Sequence, residues 1–206
     1  MDRRKVDETI LVVLVILVLC MICGIVVVPY NIYKNLVYND NAYNEARATL
    51  SGTFYILPQK ARLVWNTYKV LLEQNKIQVE VAQARSGIDK VLEDIENAAK
   101  AEDPVAAREA ANKLGFSVNV LVEAYPQLVG EQTAKDAMRE FSEAVNQMIS
   151  AMDDFNKTAR RANDYRREPI PAIVASFFLF PFRYTYYEVP EALTQPFDAE
   201  KITGPK

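Results

Sequence analysis

The side chains that most often do chemistry are scarce in this chain, and their positions narrow the field further. There is no histidine, and there are two cysteines, in 206 residues. Histidine is the commonest general base near neutral pH and the commonest transition-metal ligand, so Ser/His catalysis is excluded outright. Cys20 and Cys23 both lie inside one apolar run, which leaves residues 29–206 without a thiol. A cysteine nucleophile, a cysteine zinc site and a disulfide framework are therefore absent from that part. Acidic groups occur at Glu93-Asp94-Glu96, Glu102-Asp103 and Asp153-Asp154. Paired carboxylates can bind metals or move protons when one is buried and its pKa raised. These mostly fall off the apolar stripes described below and read as solvated helix faces. There is no calcium loop, no glycine-rich phosphate loop and no G-x-S-x-G elbow. Ser/Lys catalysis is compatible with the composition, but no pattern supports it. The expectation is a non-enzyme with no catalytic residue, cofactor, metal or small-molecule substrate. With 24 Lys+Arg against 27 Asp+Glu, the net charge of −3 also argues against a nucleic-acid partner.

Surface chemistry remains, and it concentrates near the C-terminus. Lys157, Arg160, Arg161, Arg166 and Arg167 precede the apolar stretch Ile170 to Phe182. Interrupted by proline, that stretch is too short to span a bilayer. Three fates stay open: docking against the helices, dipping into a membrane interface beneath the basic residues, or binding a partner. The candidate interaction surface is Arg166, Arg167, Ile173, Phe177, Phe178, Phe180, Phe182, Tyr186 and Tyr187. From about residue 194 the chain reads as a loose tail. Met138, Met148 and Met152 read as core filling rather than as an adaptable groove.

The elements that position these residues start with the apolar run Ile10–Val28, which contains no charge. As a helix it would reach about 28 Å, close to a bilayer's hydrocarbon thickness. The run ends Val26-Val27-Val28-Pro29-Tyr30, which is a poor signal-peptidase site. The run is expected to be an uncleaved anchor, with Ile10, Leu14, Leu17, Met21 and Val28 spanning the membrane. Arg3, Arg4 and Lys5 on the N-terminal flank outweigh Lys34 on the other. The N-terminus is accordingly expected in the cytoplasm and the remainder outside. Tyr30, Tyr33 and Tyr38 suit an interfacial belt. Cys20-x-x-x-Gly24 is a small-xxx-small pair that could pack two spans.

Beyond the run, helical periodicity dominates. Leu36, Tyr43, Leu50 and Leu57 recur every seven residues, with Ala46 and Phe54 between, predicting a first helix over about 31–56 that ends at Pro58. Ile77, Val81, Ala84, Ile88, Val91 and Ile95 form a heptad stripe. Extended back through Val70 and Leu63, it predicts a second helix over 59–101 containing Gly87. Asp103-Pro104 is a capped helix start. The third stripe is Ala107, Ala111, Leu114, Val118, Leu121 and Tyr125. Thr133 and Asp136 suggest a capping box. The fourth stripe is Met138, Phe141, Val145, Met148, Met152, Phe155, Ala159 and Ala162. No segment alternates like a strand. The expected fold is all-α: a short tail (1–9), an anchor (10–28), an antiparallel bundle of three to four helices with left-handed, coiled-coil-like packing (29–168), and an apolar/aromatic C-terminal segment (169–206).

Tyr30-Asn31 and Leu36-Val37 follow the apolar run, and Leu63-Val64 is followed some twenty residues on by Ala84-Arg85. Further along comes Glu123-Ala124-Tyr125-Pro126-Gln127-Leu128. In this order these segments resemble the LemA family of bacterial membrane-anchored helical proteins, the last being similar to the family's EAYPxL turn. Phe155-Asn156, Arg160-Arg161 and Tyr165 resemble its fourth helix, and Ile173-Val174-Ala175 and Tyr187-Glu188 its tail. The chain departs from the family where a basic-x-Asp-Leu-Ile-Pro segment is usual. Here Tyr55-Ile56-Leu57-Pro58-Gln59-Lys60-Ala61-Arg62 shifts the proline and lacks the aspartate. The resemblance implies a helical bundle on a membrane anchor, without established catalysis, in the bacterial inner membrane. The expected role is a scaffold or adaptor for other membrane or envelope proteins, with homo-oligomers possible. The alternative is a lipid-interacting, membrane-remodelling or organelle-building protein, as in the family's magnetosome branch.

Overall fold

The heptad that begins at Leu36 governs the longest helix. The computed structural model describes residues 3–22, 27–128, 131–188 and 197. Among these residues the secondary structure is helical: α1 (Arg3–Ile22), α2 (Val28–Gln74), α3 (Val79–Ser86), α4 (Ile88–Lys100), α5 (Pro104–Ala124), α6 (Gln132–Arg167) and α7 (Pro169–Phe177), with a 3-10 turn at Pro126–Leu128. No strand occurs among them. The all-α expectation is met.

In α2 the seven-residue period continues past Leu57 to Val64 and Leu71, and all of these residues are buried. The predicted break at Pro58 does not occur, because the helix runs through it. An internal proline forfeits the bond to the carbonyl four residues back, here Phe54, at about 3 kcal/mol. Phe54, Leu57, Ala61, Val64 and Trp65 are buried on both sides of it. Each large apolar side chain contributes about 1.5–3 kcal/mol on burial, so continuity outweighs the lost bond. The helix also starts earlier than predicted, with Pro29 in its first turn, where proline is tolerated.

The actual break is at 75–78. Lys76 takes a left-handed conformation with φ 57°. Its N–H donates to the Glu73 carbonyl and the Ile77 N–H to the Leu72 carbonyl. These are the paired bonds of a Schellman closure. The predicted single helix over 59–101 is therefore three pieces, since Gly87, at φ 63°, separates α3 from α4. Each left-handed residue resets the helical register. Leu63, Val70, Val81 and Ala84 accordingly turn outward, and the predicted stripe is buried only from Ile88 on. Asp103 caps α5 as predicted, accepting from the N–H groups of Val105 and Ala106 at 3.0 Å, with Pro104 at the first position. The predicted capping box at Thr133 is not formed. Helix α6 begins one residue earlier, Thr133 lies within it, and Asp136 instead accepts from the Gln132 side chain.

The chain divides into two compact units, residues 1–44 with 157–186, and residues 45–156 with 187–206. The domain boundary expected at 168 falls inside the first. In the second unit α4 and α3 both pack against α5. The third stripe and the fourth as far as Phe155 are buried, Tyr125 being half-buried. Lys60–Glu140, Arg62–Glu96 and Lys113–Asp94 tie neighbouring helices at the surface. In the first unit Leu36, Val174 and Ala175 form a core onto which Ile32, Tyr165 and Phe180 pack.

The anchor expectation needs correction at the level of the helix. No helix among the described residues is long and apolar enough to cross a membrane. Helix α1 draws its first turns from the charged tail, so its apolar part is Ile10–Ile22, about 20 Å long at 1.5 Å per residue. The remainder of the predicted run includes residues 23–26, outside the described residues, as do Cys23 and Gly24 of the small-xxx-small pair. Leu14, Leu17 and Met21 are exposed on α1, and Val28, also exposed, opens α2.

Candidate interaction surface

Helix α6 carries asparagines inside or beside its apolar stripe, a costly place for a side chain that competes with the backbone for hydrogen bonds. Their partners explain them. In the first unit the Asn163 amide donates to the Tyr184 carbonyl at 2.9 Å and accepts from the Tyr184 N–H at 2.8 Å. In the second unit Asn156 makes the same pair with Tyr187, at 3.0 and 2.8 Å, and Asn146 with Phe197, at 3.0 and 2.7 Å. Each amide satisfies both backbone groups of one residue that has left regular structure, which a buried non-helical segment requires. Phe197 is held further by Ser142, which donates to its carbonyl, by an edge-on Phe141 ring and by the Arg108 guanidinium, 4.7 Å from its centroid. The tail predicted to be loose from 194 thus has one described residue, and that residue is buried. The rest of that stretch lies outside the described residues.

In the first unit Tyr184 is the centre of a polar relay. Its hydroxyl donates to Asp40 Oδ1 at 2.5 Å and accepts from Arg166 Nη2 at 2.7 Å. Its ring lies 4.4 Å from that of Tyr43. Burial, reinforced by the bond to Asp40, pushes the Tyr184 hydroxyl far above its ordinary pKa, although Arg166 opposes the shift. The hydroxyl therefore stays protonated. Arg166 lies between the Tyr184 and Phe180 rings, 4.3 and 5.5 Å from their centroids. Burial lowers its pKa, with Tyr184 and Asp40 acting in the opposite sense.

Arg166, predicted as part of the surface, is only 8 % exposed. It turns inward because Asp40, through Tyr184, supplies a partial countercharge. Arg167 is exposed and pairs with Asp164 at 3.3 Å. Helix α7 has two apolar faces. Pro171, Val174 and Ala175 are buried, whereas Ile170, Ile173 and Phe177 are exposed. Phe178, Leu179 and Phe182 extend the exposed set, Phe182 being 98 % exposed. Leu179, at φ 57°, closes α7 by the same Schellman bonds seen after α2. Phe178 and Phe180 contact Tyr33 at 4.7 and 5.9 Å. Tyr186 is half-buried beneath Arg160 and Arg183. Tyr187 belongs to the second unit, where it packs on Phe155 and donates to the Glu102 carbonyl.

Of the acidic groups weighed from sequence, Asp94 pairs with Lys113, Glu96 with Arg62, Glu102 accepts from Ser51, and Asp103 caps α5. No group of three or more metal-ligating side chains is gathered among the described residues.

These features define an all-α protein whose C-terminal chain is held on helix α6 through side-chain amides. The model of the LemA family matches residues 62–198, well over half of the sequence, and the chain belongs to that family. Neither a curated protein nor a solved structure matches it.

Proposed function

We propose that this protein is a membrane-anchored, non-catalytic helical scaffold that binds other membrane or envelope proteins from the outer side of the bacterial inner membrane. The observation that supports the anchor is the exposure of α1. Leu11 to Leu19 and Met21 are each between 48 and 64 % exposed, so the helix presents apolar side chains on every side. A helix that is apolar all round is stable in lipid or within a large core. The sequence stays uncharged as far as Val28, and Arg3, Arg4 and Lys5 favour a cytoplasmic N-terminus. The observation that supports partner binding is the outer face of α7, with Ile170, Ile173 and Phe177 exposed and Phe182 beyond it.

The test is crosslinking in cells, gentle solubilisation and identification of the proteins retained, for the native chain and for Ile173→Asp/Phe177→Asp. Both residues are exposed, so the variant keeps the fold. A partner retained by the native chain and lost by the variant is the expected result. Equal recovery from both would overturn the assignment of the surface, and a native chain that retains nothing would overturn the adaptor role. A second reading, contact with the lipid surface, rests on the same apolar face beside Arg160, Arg161 and Arg167. It predicts that fragment 29–206 co-sediments with anionic liposomes and that the double variant does not.

A further inference from the structure

A cavity of about 440 Å³ opens in the first unit against Arg166, Arg167 and Arg183. Asn163 and Ser176 add polar groups, and none of the described residues that line it is acidic. Arg166 is the unusual member. It is more than nine-tenths buried, and its Nη1 has no hydrogen-bond partner among the described residues. A guanidinium has five donors, and leaving a buried one unmet is costly. The only carboxylate near it in the relay, Asp40, is reached through the Tyr184 hydroxyl rather than directly. Arg183 faces the Tyr186 ring, and the pair between Arg167 and Asp164 is exposed and therefore weak. Positive charge is thus gathered around a cavity whose lining, among the described residues, holds no carboxylate.

The remaining walls are apolar: Ala172, Ala175, Phe180, Pro181 and Phe182. An inorganic anion would leave that side unused. Planar forked guanidinium groups match phosphate oxygens in pairs. We propose that this cavity binds a phosphate ester, its phosphate facing the arginines and its organic part lying over Pro181 and Phe182. The ester can be a lipid headgroup or a soluble metabolite, since the phosphate chemistry is the same. This inference does not rest on the adaptor reading, because the α7 outer face is not needed for it.

The test uses the full chain in a maltoside detergent at constant chloride. Glycerol 3-phosphate and dihexanoyl phosphatidic acid are titrated separately and followed by phosphorus NMR. Saturable shifts are expected for at least one of them. Arg183→Gln, an exposed position, is expected to weaken binding about tenfold, the scale of one charge-assisted hydrogen bond. Arg166→Lys, which keeps the charge but loses the fork, is expected to weaken it at least as much, and circular dichroism checks its fold. Phosphatidic acid binding at least tenfold more tightly than glycerol 3-phosphate would support the site and assign it to lipid. Equal affinities would support it and assign it to soluble esters. No saturable shift with either, or affinities unchanged in both variants, would overturn the proposal.

Discussion

Replacing Asn163 by leucine isolates what the amide clamps contribute. The side chain is nearly fully buried, and its two bonds to Tyr184 are 2.9 and 2.8 Å long. Leucine keeps the branched shape, with larger methyl groups, and has a slightly better helix propensity, so α6 itself is not weakened. The substitution instead leaves the N–H and C=O of Tyr184 without partners, and Tyr184 is only 3 % exposed. Each unsatisfied buried group costs about 1–3 kcal/mol, so the docked segment loses roughly 2–6 kcal/mol before relaxation. The Tyr184 hydroxyl relay to Asp40 and Arg166 goes with it if the segment lifts. Hydrogen exchange resolved by residue is the suitable assay, because opening is expected to be local. The Tyr184 amide should lose at least about thirtyfold in protection, while buried amides of α6 around Phe155 keep theirs. Asn163→Asp adds a diagnostic. A carboxylate still accepts from the Tyr184 N–H but repels its carbonyl, whereas the protonated acid can serve both. The substituted group's pKa is therefore raised in the folded state, so stability is present at low pH and is lost as the pH rises through that value. Unchanged protection at Tyr184 in the leucine variant would refute the clamp as the source of docking.

Other outcomes follow from the same structure. Phe197→Ala empties a site formed by Phe141, Arg108 and Asn146. A loss of about 3–5 kcal/mol should lower the melting temperature by roughly 6–20 °C in a thermal scan of the full chain. Lys76→Gly relieves a left-handed residue at the end of α2 without touching a packed side chain. It should raise stability by about 1 kcal/mol in urea titration, and a decrease would show that the Lys76 side chain is needed there. Burial pushes the Tyr68 hydroxyl up to about 12. Because the folded value is above the unfolded one, its contribution is intact below pH 10 and falls away between about 10 and 12. Tyr68→Phe should flatten that part of a stability-against-pH curve, and an unchanged slope would refute the assignment.

The helices were legible where period and caps agreed, and not where a backbone conformation decided the matter. The third and fourth stripes match the buried faces of α5 and α6 because Asp103-Pro104 fixes the start of α5 and no left-handed residue interrupts either helix. The second stripe failed upstream of Ile88 for a physical reason. A heptad on paper assumes continuous right-handed helix, and Lys76 and Gly87 each break it. Glycine at 87 hinted at this, but nothing about a lysine announces φ above zero. Pro58 misled in the opposite direction. A proline's local cost was visible, whereas the buried Leu57, Ala61 and Val64 that offset it are visible only when the first stripe is carried across it with unchanged period.

The aromatic C-terminal segment was found from composition, but its internal division was not. Charge and hydropathy assign Arg166 and Arg167 to the same basic cluster, yet one is buried in a relay and the other faces water. That separation comes from Asp40 and Tyr184, more than a hundred residues apart in sequence and joined by a single hydroxyl. The only local trace is the asparagines of α6. An amide at Asn156 or Asn163, next to the stripe positions Phe155 and Ala162, is unfavourable in an isolated helix and is justified only by a backbone segment that needs both of its groups. A polar residue that its own helix cannot satisfy is thus the mark of a docked chain, and here it locates the non-helical segment by the residues that receive it.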